Sequence, residues 1–243
     1  MRVSVRLLEL TLSTVPENLA LDEALLEAAE LDASAVEVLR LWESPETAVI
    51  LGRASRWDDE AKAEICAADG VPVYRRASGG AAVAIGPGCL MYSLIISLAR
   101  RPELALIDAA HQWVMQSLLT ALRPLVPDVQ FQGTCDLTWR GKKFSGNSLR
   151  CKRTHLLYHG TLLYDFNLPL IARYLGTPPR QPAYREGRDH DSFVTNLPVD
   201  GRQLSANLVH TFEAHERLLD WPRERTCDLA INRYQTTDWN RAR

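Results

Sequence analysis

Apolar and polar positions along this chain follow two kinds of spacing, one helical and one strand-like. In ENLALDEALLEAAE, residues 17–30, leucines and alanines recur at helical intervals, and the early acidic residues favour the positive end of the helix dipole. VEVLRLW, residues 36–42, alternates instead, and CLMYSLIISL, residues 89–98, is an almost continuous apolar run of the kind found in buried strands. The pattern therefore predicts helices packed against a sheet.

The same analysis predicts elements along the whole chain. The predicted helices cover residues 17–30, 58–70, 104–122, 168–175 and 204–219, and the last of these is predicted to be the final helix. The predicted strands cover residues 36–42, 47–53, 71–76, 89–98 and 155–166, with a hairpin over 136–146. Ser44 and Pro45 form a turn, so strands 36–42 and 47–53 are expected to pair with each other. Without repeats or linkers, the chain is predicted to be a single α+β (α/β) domain over residues 1–243, with a mixed central sheet and flanking helices.

Composition and charge restrict the class of protein. The chain has 243 residues, of which 46% are hydrophobic and 24% charged, and its net charge of -2 gives no overall attraction to nucleic acid or to an anionic membrane. The first twenty residues lack the features of a signal peptide, and no window approaches the run of about 20 apolar residues that spans a bilayer. We therefore expect a cytoplasmic protein with neither a nucleic-acid nor a membrane partner.

The five cysteines do not form a recognisable framework. They are odd in number, widely spaced and without a C-x-x-C pair, which disfavours disulfides and a zinc site. We expect reduced thiols unless one of them takes part in chemistry. Cys89 lies inside an apolar strand and is predicted to belong to the core.

The segment RRASGGAAVAIGPGCLMYS, residues 75–93, combines paired arginines with paired glycines. Glycines allow backbone N–H groups to approach a ligand closely, and the planar guanidinium groups of Arg75 and Arg76 suit carboxylate or phosphate. This composition predicts a binding site for an anion. The alternative is a glycine-containing hairpin that carries an exposed arginine pair, and the residue types alone leave both open.

The segment GTCDLTWRGKKFSGNSLR, residues 133–150, contains a second set of candidate residues. A two-residue turn at 140–141 precedes Lys142 and Lys143, and side chains alternate along a strand, so one lysine is predicted to face inward. There it could neutralise negative charge on a carbonyl or phosphate oxygen. The alternative is a hairpin with two solvated lysines, and His159 on the following strand is, by itself, more often a structural residue.

Three motifs in this order resemble the lipoate-protein ligase A family. RRASGGAAV resembles its RRxSGGG motif, GKKFSGNSLR resembles its catalytic-lysine segment, and YHGTLLYD resembles the HGTLL strand that follows. Further similarity extends from about Asn18 to Leu197. The resemblance implies the catalytic fold shared by biotin and lipoate ligases and octanoyltransferases. It also implies action on lipoyl domains of 2-oxoacid dehydrogenase complexes and on the H protein of glycine cleavage.

The resemblance also implies roles for single residues. Lys143 takes the place of the family's catalytic lysine, and Lys142 becomes its exposed neighbour. Lipoate and ATP are the implied substrates, with magnesium assisting, and strands 89–98 and 47–53 are expected to line an apolar slot for the acyl chain. The implied substrate-binding residues are Arg75, Arg76, Ser78, Gly79, Gly80, Asp136, Ser145, Gly146, His159 and Gly160.

The sequence also departs from the family pattern. Ala81 replaces the third glycine, residues 84–86 replace the usual YHD, and Cys135 replaces an asparagine. These changes bear on the geometry of the adenylate, and the metal ligands remain unknown. The chain ends without the accessory domain that many such ligases carry, so a separately encoded accessory protein or an acyl carrier protein is an alternative partner.

Three functions therefore stay open at the level of sequence. The leading hypothesis is an ATP-dependent lipoyl or octanoyl ligase that uses Lys143. The first alternative is an acyltransferase in which Cys135 forms a thioester, its pKa lowered by Lys143. The second is a binding partner without catalysis, which the retained lysine disfavours. A biotin ligase is disfavoured because its own glycine–arginine loop pattern is not found.

Overall fold

The structure is a computed structural model that describes residues 5–32, 36–178 and 180–242. In these residues, eleven strands form two sheets. They are β1 Val5–Glu9, β2 Glu37–Glu43, β3 Ala48–Leu51, β4 Val73–Arg75, β5 Val83–Ile85, β6 Cys89–Ser97, β7 Val129–Gln132, β8 Asp136–Trp139, β9 Lys142–Cys151, β10 His155–Leu163 and β11 Glu216–Arg217.

The helices flank these sheets. They are α1 Val15–Asp32, α2 Trp57–Glu60, α3 Ala63–Ala68, α4 Ile107–Leu122, α5 Pro169–Tyr174, α6 His190–Phe193, α7 Gly201–Thr211, α8 Arg223–Leu229 and α9 Thr237–Asn240. Short 3₁₀ turns cover Pro102–Ala105 and Ala183–Arg185, and a π-helical turn covers Ala230–Tyr234. None of the helices that the structure describes combines the length and the apolar character needed to cross a membrane.

The larger sheet has eight strands in the order β11-β1-β2-β6-β10-β9-β8-β7. The pairs β11–β1 and β1–β2 are parallel, whereas the ladder from β2 to β7 is antiparallel. The smaller sheet has the order β4-β3-β5, with β3 parallel to β4 and antiparallel to β5. The predicted mixed sheet with flanking helices is thus confirmed.

Both faces of the larger sheet are covered, which explains why its central strands read as continuous apolar runs. Val38, Ile95 and Leu157 pack with leucines of α1 in one cluster. Their neighbours along the same strands, such as Leu94 and Tyr158, belong to the main core together with residues of α4. Because side chains alternate along a strand, these two sets of strand residues lie on opposite faces of the sheet.

The predicted pairing of strands 36–42 and 47–53 is wrong. β2 lies between β1 and β6 in the larger sheet, whereas β3 is the middle strand of the smaller sheet. Partners distant in sequence therefore decide which sheet each strand joins. The predicted helix over 58–70 is also divided, because Ala61 between α2 and α3 has extended backbone and Lys62 after it is not helical either.

The predicted final helix over 204–219 ends early. It begins at Gly201, capped by the side chain of Asp200, and ends at Thr211. Glu213 then adopts a left-handed backbone with φ of 52°, which no helix continues. The chain instead adds β11 to the edge of β1, and α8 and α9 follow. These C-terminal helices return to the region of the predicted site.

Candidate active site

Arg75 ends β4 and is only 1% exposed. Its guanidinium donates to the carbonyls of Gly52 and Ser55 at 2.8 and 2.7 Å, and to that of Asn240 at 3.1 Å. The side-chain N–H of Trp239 in α9 in turn donates to the Arg75 carbonyl at 2.8 Å. Arg75 thus joins a loop to the C-terminal helix, and its predicted role in substrate binding stays a prediction.

Arg76 has a different environment. It is 7% exposed and donates to the Ser78 hydroxyl and to the carbonyls of Ile50, Gly79 and Ala81. Within the described residues no carboxylate lies at ion-pairing distance from it, and burial lowers its pKa to about 10 although the charge of Glu60 opposes this. A desolvated cation with neutral partners is a ready site for an anion.

The glycine turn allows this arginine to fold back on its own loop. Gly80 has φ of 85°, a conformation that side-chain-bearing residues rarely adopt. A Cβ there would lie 2.8 Å from Nη2 of Arg76, so a side chain would also press on the guanidinium. The carbonyl of Gly79 accepts from Arg76 and from the Ser148 hydroxyl, which ties the turn to β9.

The hairpin over β8 and β9 is confirmed. Arg140 and Gly141 have φ of 50° and 73°, which matches the two-residue turn that suits twisted strands. The register shifts so that Leu137 pairs with Ser145 but Thr138 pairs with Lys143, which leaves Phe144 as an extra residue. Bulges of this kind re-aim side chains near functional sites. Here the bulge directly follows Lys143.

Lys143 is held by a short chain of polar contacts. Its ammonium lies 2.7 Å from Oδ1 of Asp136, and Oδ2 of Asp136 accepts from the Tyr184 hydroxyl at 2.7 Å. Burial and the charge of Asp136 raise the pKa of Tyr184, so its hydroxyl remains a donor at neutral pH. Asp136 thereby fixes the ammonium in place, and Tyr184 fixes Asp136.

A row of polar side chains crosses three strands on the α1 face of the sheet. Arg40, Ser93 and His159 are direct neighbours in the register of β2, β6 and β10. All three reach Asp22 of α1, with Arg40 at 2.5 Å, Ser93 at 2.7 Å and Nδ1 of His159 at 3.6 Å. Burial alone raises the pKa of Asp22, but Arg40 and His159 outweigh it, so its pKa is lowered.

The other ring nitrogen of His159 contacts the predicted loop. Nε2 lies 2.5 Å from the hydroxyl of Ser78, which is itself buried. Ser78, His159 and Asp22 therefore form one hydrogen-bonded array. The next residue, Gly160, has no room for a side chain, since a Cβ there would lie only 1.8 Å from Oδ1 of Asn147 on β9.

Two cavities adjoin at Lys143. The first, which we call the small cavity, has a volume of about 110 Å³, and the second, the large cavity, about 380 Å³. The small cavity is lined chiefly by apolar residues around Phe144, Leu163, Ile171 and Phe193. The residues common to both walls are Ala81, Ala82, Val83, Lys143, Gly146 and Thr161.

The large cavity has one apolar wall and one polar wall. Leu19, Ile50 and Met91 line the apolar side, so each strand expected to form an acyl slot contributes one residue. The polar side is lined by Asp22, Arg76, Gly80, Cys135, Asp136, Asn147, Ser148, His159 and Gly160. Ser145 lines the small cavity instead. Of the predicted site residues, all but Arg75, Ser78 and Gly79 thus line a cavity, and the last two contact residues that do.

Cys135 lies in the wall of the large cavity and is partly buried. Its thiol donates to the carbonyl of Asn147 at 2.9 Å. Burial, followed by the charge of Asp136, raises its pKa to about 11, although Lys143 and Arg76 act in the opposite direction. Lys143 therefore does lower the pKa of this thiol, as expected, but burial and the charge of Asp136 outweigh its effect.

Several residues of the site have no signal in local sequence. Asp22 reads as one of the acidic residues of an amphipathic helix, and Tyr184 and Arg185 belong to an irregular segment. That segment continues to α6, where His190 lines the small cavity and burial lowers its pKa. The further similarity to the family, from about Asn18 to Leu197, covers these regions but names none of these residues.

A buried guanidinium, that of Arg76, and a fixed ammonium, that of Lys143, thus lie beside two adjoining cavities. The chain belongs to the Lipoyl protein ligase A/B catalytic domain family, whose model matches residues 14–211.

Relatives and solved structures agree with this assignment. The chain is 30% identical over 158 residues to a protein of Mycoplasma pneumoniae named probable lipoate-protein ligase A. The aligned region covers 65% of this chain and 45% of that protein. It is 25% identical over 224 residues to the lipoate-protein ligase A of Psychrobacter cryohalolentis, covering 90% and 62% of the two chains. The chain thus spans less than two thirds of these relatives.

The fold agrees with that of solved lipoate ligases. The bipartite lipoate protein ligase of Thermoplasma acidophilum superposes with a TM-score of 0.82 at 21% identity, over 99% of this chain and 97% of the other. A lipoate-protein ligase A bound with ATP superposes with a TM-score of 0.81 at 21% identity, over 98% and 99%. At this identity the likeness establishes the catalytic-domain fold.

Proposed function

We propose that this chain attaches a lipoyl or octanoyl group to the acceptor lysine of a lipoyl domain, through an acyl-adenylate made from the free acid and ATP. The observation that carries the proposal is the position of Lys143 in the wall shared by two cavities. Solved structures of the same fold bind lipoic acid in one case and ATP in another. The acceptors we propose are lipoyl domains of 2-oxoacid dehydrogenase complexes and the glycine-cleavage H protein.

The acyl chain fits the large cavity best. Leu19, Ile50 and Met91 provide the apolar wall, and Arg76 provides a cation for the carboxylate end. Burial contributes about 0.8 kcal/mol per CH₂, or roughly 5 kcal/mol for an eight-carbon chain. Apolar pockets separate near-isosteres by only about 10- to 200-fold, so both lipoate and octanoate are expected to bind.

The α-phosphate of the nucleotide then lies at the junction of the two cavities beside Lys143, with the rest of the nucleotide on the side of the small cavity. A carboxylate oxygen of the acid attacks the α-phosphorus, the bond to the β-phosphate oxygen breaks, and pyrophosphate leaves. Lys143 offsets the negative charge that both reactants bring to one place. Its fixed position matters because an ammonium that is already oriented costs no reorganisation during the reaction.

The second step transfers the acyl group. The acceptor amine attacks the acyl carbon, the carbon–oxygen bond to the phosphate breaks, and AMP leaves as the amide forms and the amine loses its proton. Lys143 can stabilise the oxyanion that forms on the way, a contribution of about 3 to 4 kcal/mol for one well-placed donor. Asp136 and Tyr184 are positioning residues in both steps, because they hold the ammonium.

Magnesium enters this scheme as part of the substrate complex with ATP. The residues described here include no group of three or more His, Cys, Asp or Glu side chains arranged to hold a metal ion. Proteins commonly bind magnesium through one or two carboxylates together with substrate phosphates. Bound in this way, magnesium would neutralise phosphate charge.

The decisive experiment compares two acyl donors. The purified protein is incubated with a lipoyl domain and either lipoate, ATP and magnesium, or octanoyl-carrier protein without ATP, and the acceptor mass is measured. We expect acylation with ATP and none with the thioester. Cys135→Ser should retain most of this activity, because a thiol with a pKa of about 11 is a poor nucleophile at neutral pH.

The opposite result would identify a transferase. If acylation needs the thioester donor, Cys135→Ser is inactive and mass spectrometry finds an acyl adduct on Cys135, the ligase proposal is wrong. If neither donor yields acylated acceptor although lipoate binds, the chain is a binding protein without catalysis. Adding a separate accessory protein then tests whether catalysis needs that partner.

A further inference from the structure

Arg185 is a buried cation that the scheme above does not use. It ends the turn Ala183–Arg185 and is 3% exposed. Its Nε donates to the carbonyl of Arg188 at 2.8 Å, and its guanidinium lies 4.8 Å above the ring of Phe193. Its Nη2 is buried and, in the part of the chain that the structure describes, has no hydrogen-bond partner.

A buried charged donor without a hydrogen-bond partner is a candidate contact for a ligand. Buried polar groups in folded proteins are nearly always hydrogen-bonded, and an unpaired charged donor is the costliest exception. No carboxylate in the described ranges lies within ion-pairing distance of Arg185, and burial lowers its pKa although the charge of Asp189 opposes this. An oxyanion from outside the chain would supply the missing partner.

The position of Arg185 narrows the identity of that oxyanion. It lines the small cavity, together with Glu60, Lys143 and His190 as the other charged or titratable groups. Lys143 is paired with Asp136, Glu60 accepts from the backbone N–H of Ala82 at 2.7 Å, and burial lowers the pKa of His190. Among the described groups that line this cavity, Arg185 is thus the positive charge without an ion pair, and Glu60 is the negative one.

We propose that Arg185 binds the outer phosphates of the nucleoside triphosphate and so stabilises the leaving pyrophosphate. This inference rests on the proposed function, which places the reacting α-phosphate at the junction beside Lys143. Arg185 lines the small cavity and not the large one, so it faces a part of the nucleotide that stays away from the acyl group. Base and ribose carry no charge, which leaves the β- and γ-phosphates.

Calorimetry with three probes tests this assignment. ATP with magnesium, inorganic pyrophosphate and AMP are titrated into the unmodified chain and into Arg185→Met, which keeps an apolar side chain over Phe193 but removes the charge. We expect affinity for ATP and for pyrophosphate to fall at least about tenfold, as for loss of one charge-assisted hydrogen bond. Affinity for AMP, which lacks the outer phosphates, should change less than about twofold.

Arg188 provides a matched control. It lies three residues away, its guanidinium is 5.3 Å from the same Phe193 ring, and its nitrogens donate to the carbonyls of Arg185, Gly141 and Tyr184. Arg188→Met should therefore leave all three affinities unchanged. Arg185→Lys keeps the charge and should recover part of the ATP affinity, which also covers the case in which Arg185→Met does not fold.

Three results would overturn the inference. Equal loss of AMP and ATP affinity would show a structural role for Arg185, and unchanged affinities would show that the phosphates bind elsewhere. A higher KM for the lipoyl domain, with unchanged affinities for all three probes, would show that Arg185 binds a carboxylate of the acceptor protein. If the unmodified chain binds pyrophosphate through Arg185 but forms no acyl-adenylate from lipoate and ATP, the anion site stands and the proposed function fails.

Discussion

Two pairs of adjacent basic residues, one at the end of β4 and one at the start of β9, each place one side chain at a cavity and the other away from it. In each pair the second member reaches a cavity, Arg76 in the first and Lys143 in the second. The first members differ. Arg75 is 1% exposed and enclosed by backbone carbonyls, whereas Lys142 is exposed at the base of the hairpin turn.

The difference arises from what surrounds each strand. β4 passes between the loop at residues 52–55 and helix α9, so the side chain of Arg75 meets backbone carbonyls to which it donates hydrogen bonds. β9 begins at the tip of a hairpin, where its outer lysine meets solvent. Two adjacent cations in a sequence therefore do not imply one shared role. In particular, lower activity after replacement of Arg75 would report on folding, so stability and activity have to be measured together.

The largest effect is expected for Lys143→Ala. Loss of one preorganised donor at a reacting centre typically costs about 10²- to 10³-fold in rate, and here the ammonium serves both steps. Acylation of a lipoyl domain should fall by at least that much, measured by mass spectrometry of the acceptor. Lipoate affinity and the thermal unfolding midpoint should be nearly unchanged. Wild-type activity in this variant would end the assignment of Lys143.

A loss of stability rather than of chemistry is expected for Arg75→Met. The substitution removes a charged donor from the carbonyls of Gly52, Ser55 and Asn240, so the free energy of unfolding should fall by about 2 to 4 kcal/mol. Urea denaturation measures this change. The control is Arg53→Met, the same substitution at an exposed arginine nearby, which should change stability by less than about 0.5 kcal/mol.

The contrast between Arg75 and Arg76 would fail if Arg75→Met changed ligand affinity and left the free energy of unfolding unchanged. If Arg75→Met unfolds normally but loses affinity for lipoate or ATP, then Arg75 belongs to the anion site after all. Its carbonyl contacts would then be a resting arrangement that ligand binding replaces. Reduced stability with normal affinity, measured well below the unfolding temperature, would support the framework role.

Local pattern predicted most elements of the fold, because helix and strand periodicity is written into short segments. It predicted α1, the central strands β6 and β10, and the hairpin of β8 and β9. It failed where distant partners decide. The sheet that β2 joins depends on β1 and β6, and the end of α7 depends on an open edge at β1 that accepts β11.

The site shows the same limit. Alternation along β9 predicted that one lysine of the pair faces inward, but the bulge at Phe144 that follows it depends on the register with β8. Asp22 lies more than a hundred residues from His159 in sequence, and Tyr184 lies 48 residues from Asp136, the partner of Lys143. No local pattern joins them. The split between Arg75 and Arg76 likewise depends on α9, whose sequence has no strong apolar period.

The smallest effect is expected for Lys142→Ala, the matched partner of Lys143→Ala. Lys142 pairs with Trp139 through the strand backbone, and its exposed side chain has no ion pair in the described structure. Substitutions at such positions usually change stability by less than about 0.5 kcal/mol, so folding and acylation should both be close to normal.

The sharper measurement is the KM for the lipoyl domain at low and high salt. A rim charge that guides an acidic partner would raise the KM at low salt when it is removed, and added salt would abolish the difference between the variant and the unmodified chain. That result would make both lysines functional, one for chemistry and one for docking, whereas equal KM values at both salt concentrations would leave Lys142 as the solvated neighbour that strand alternation requires.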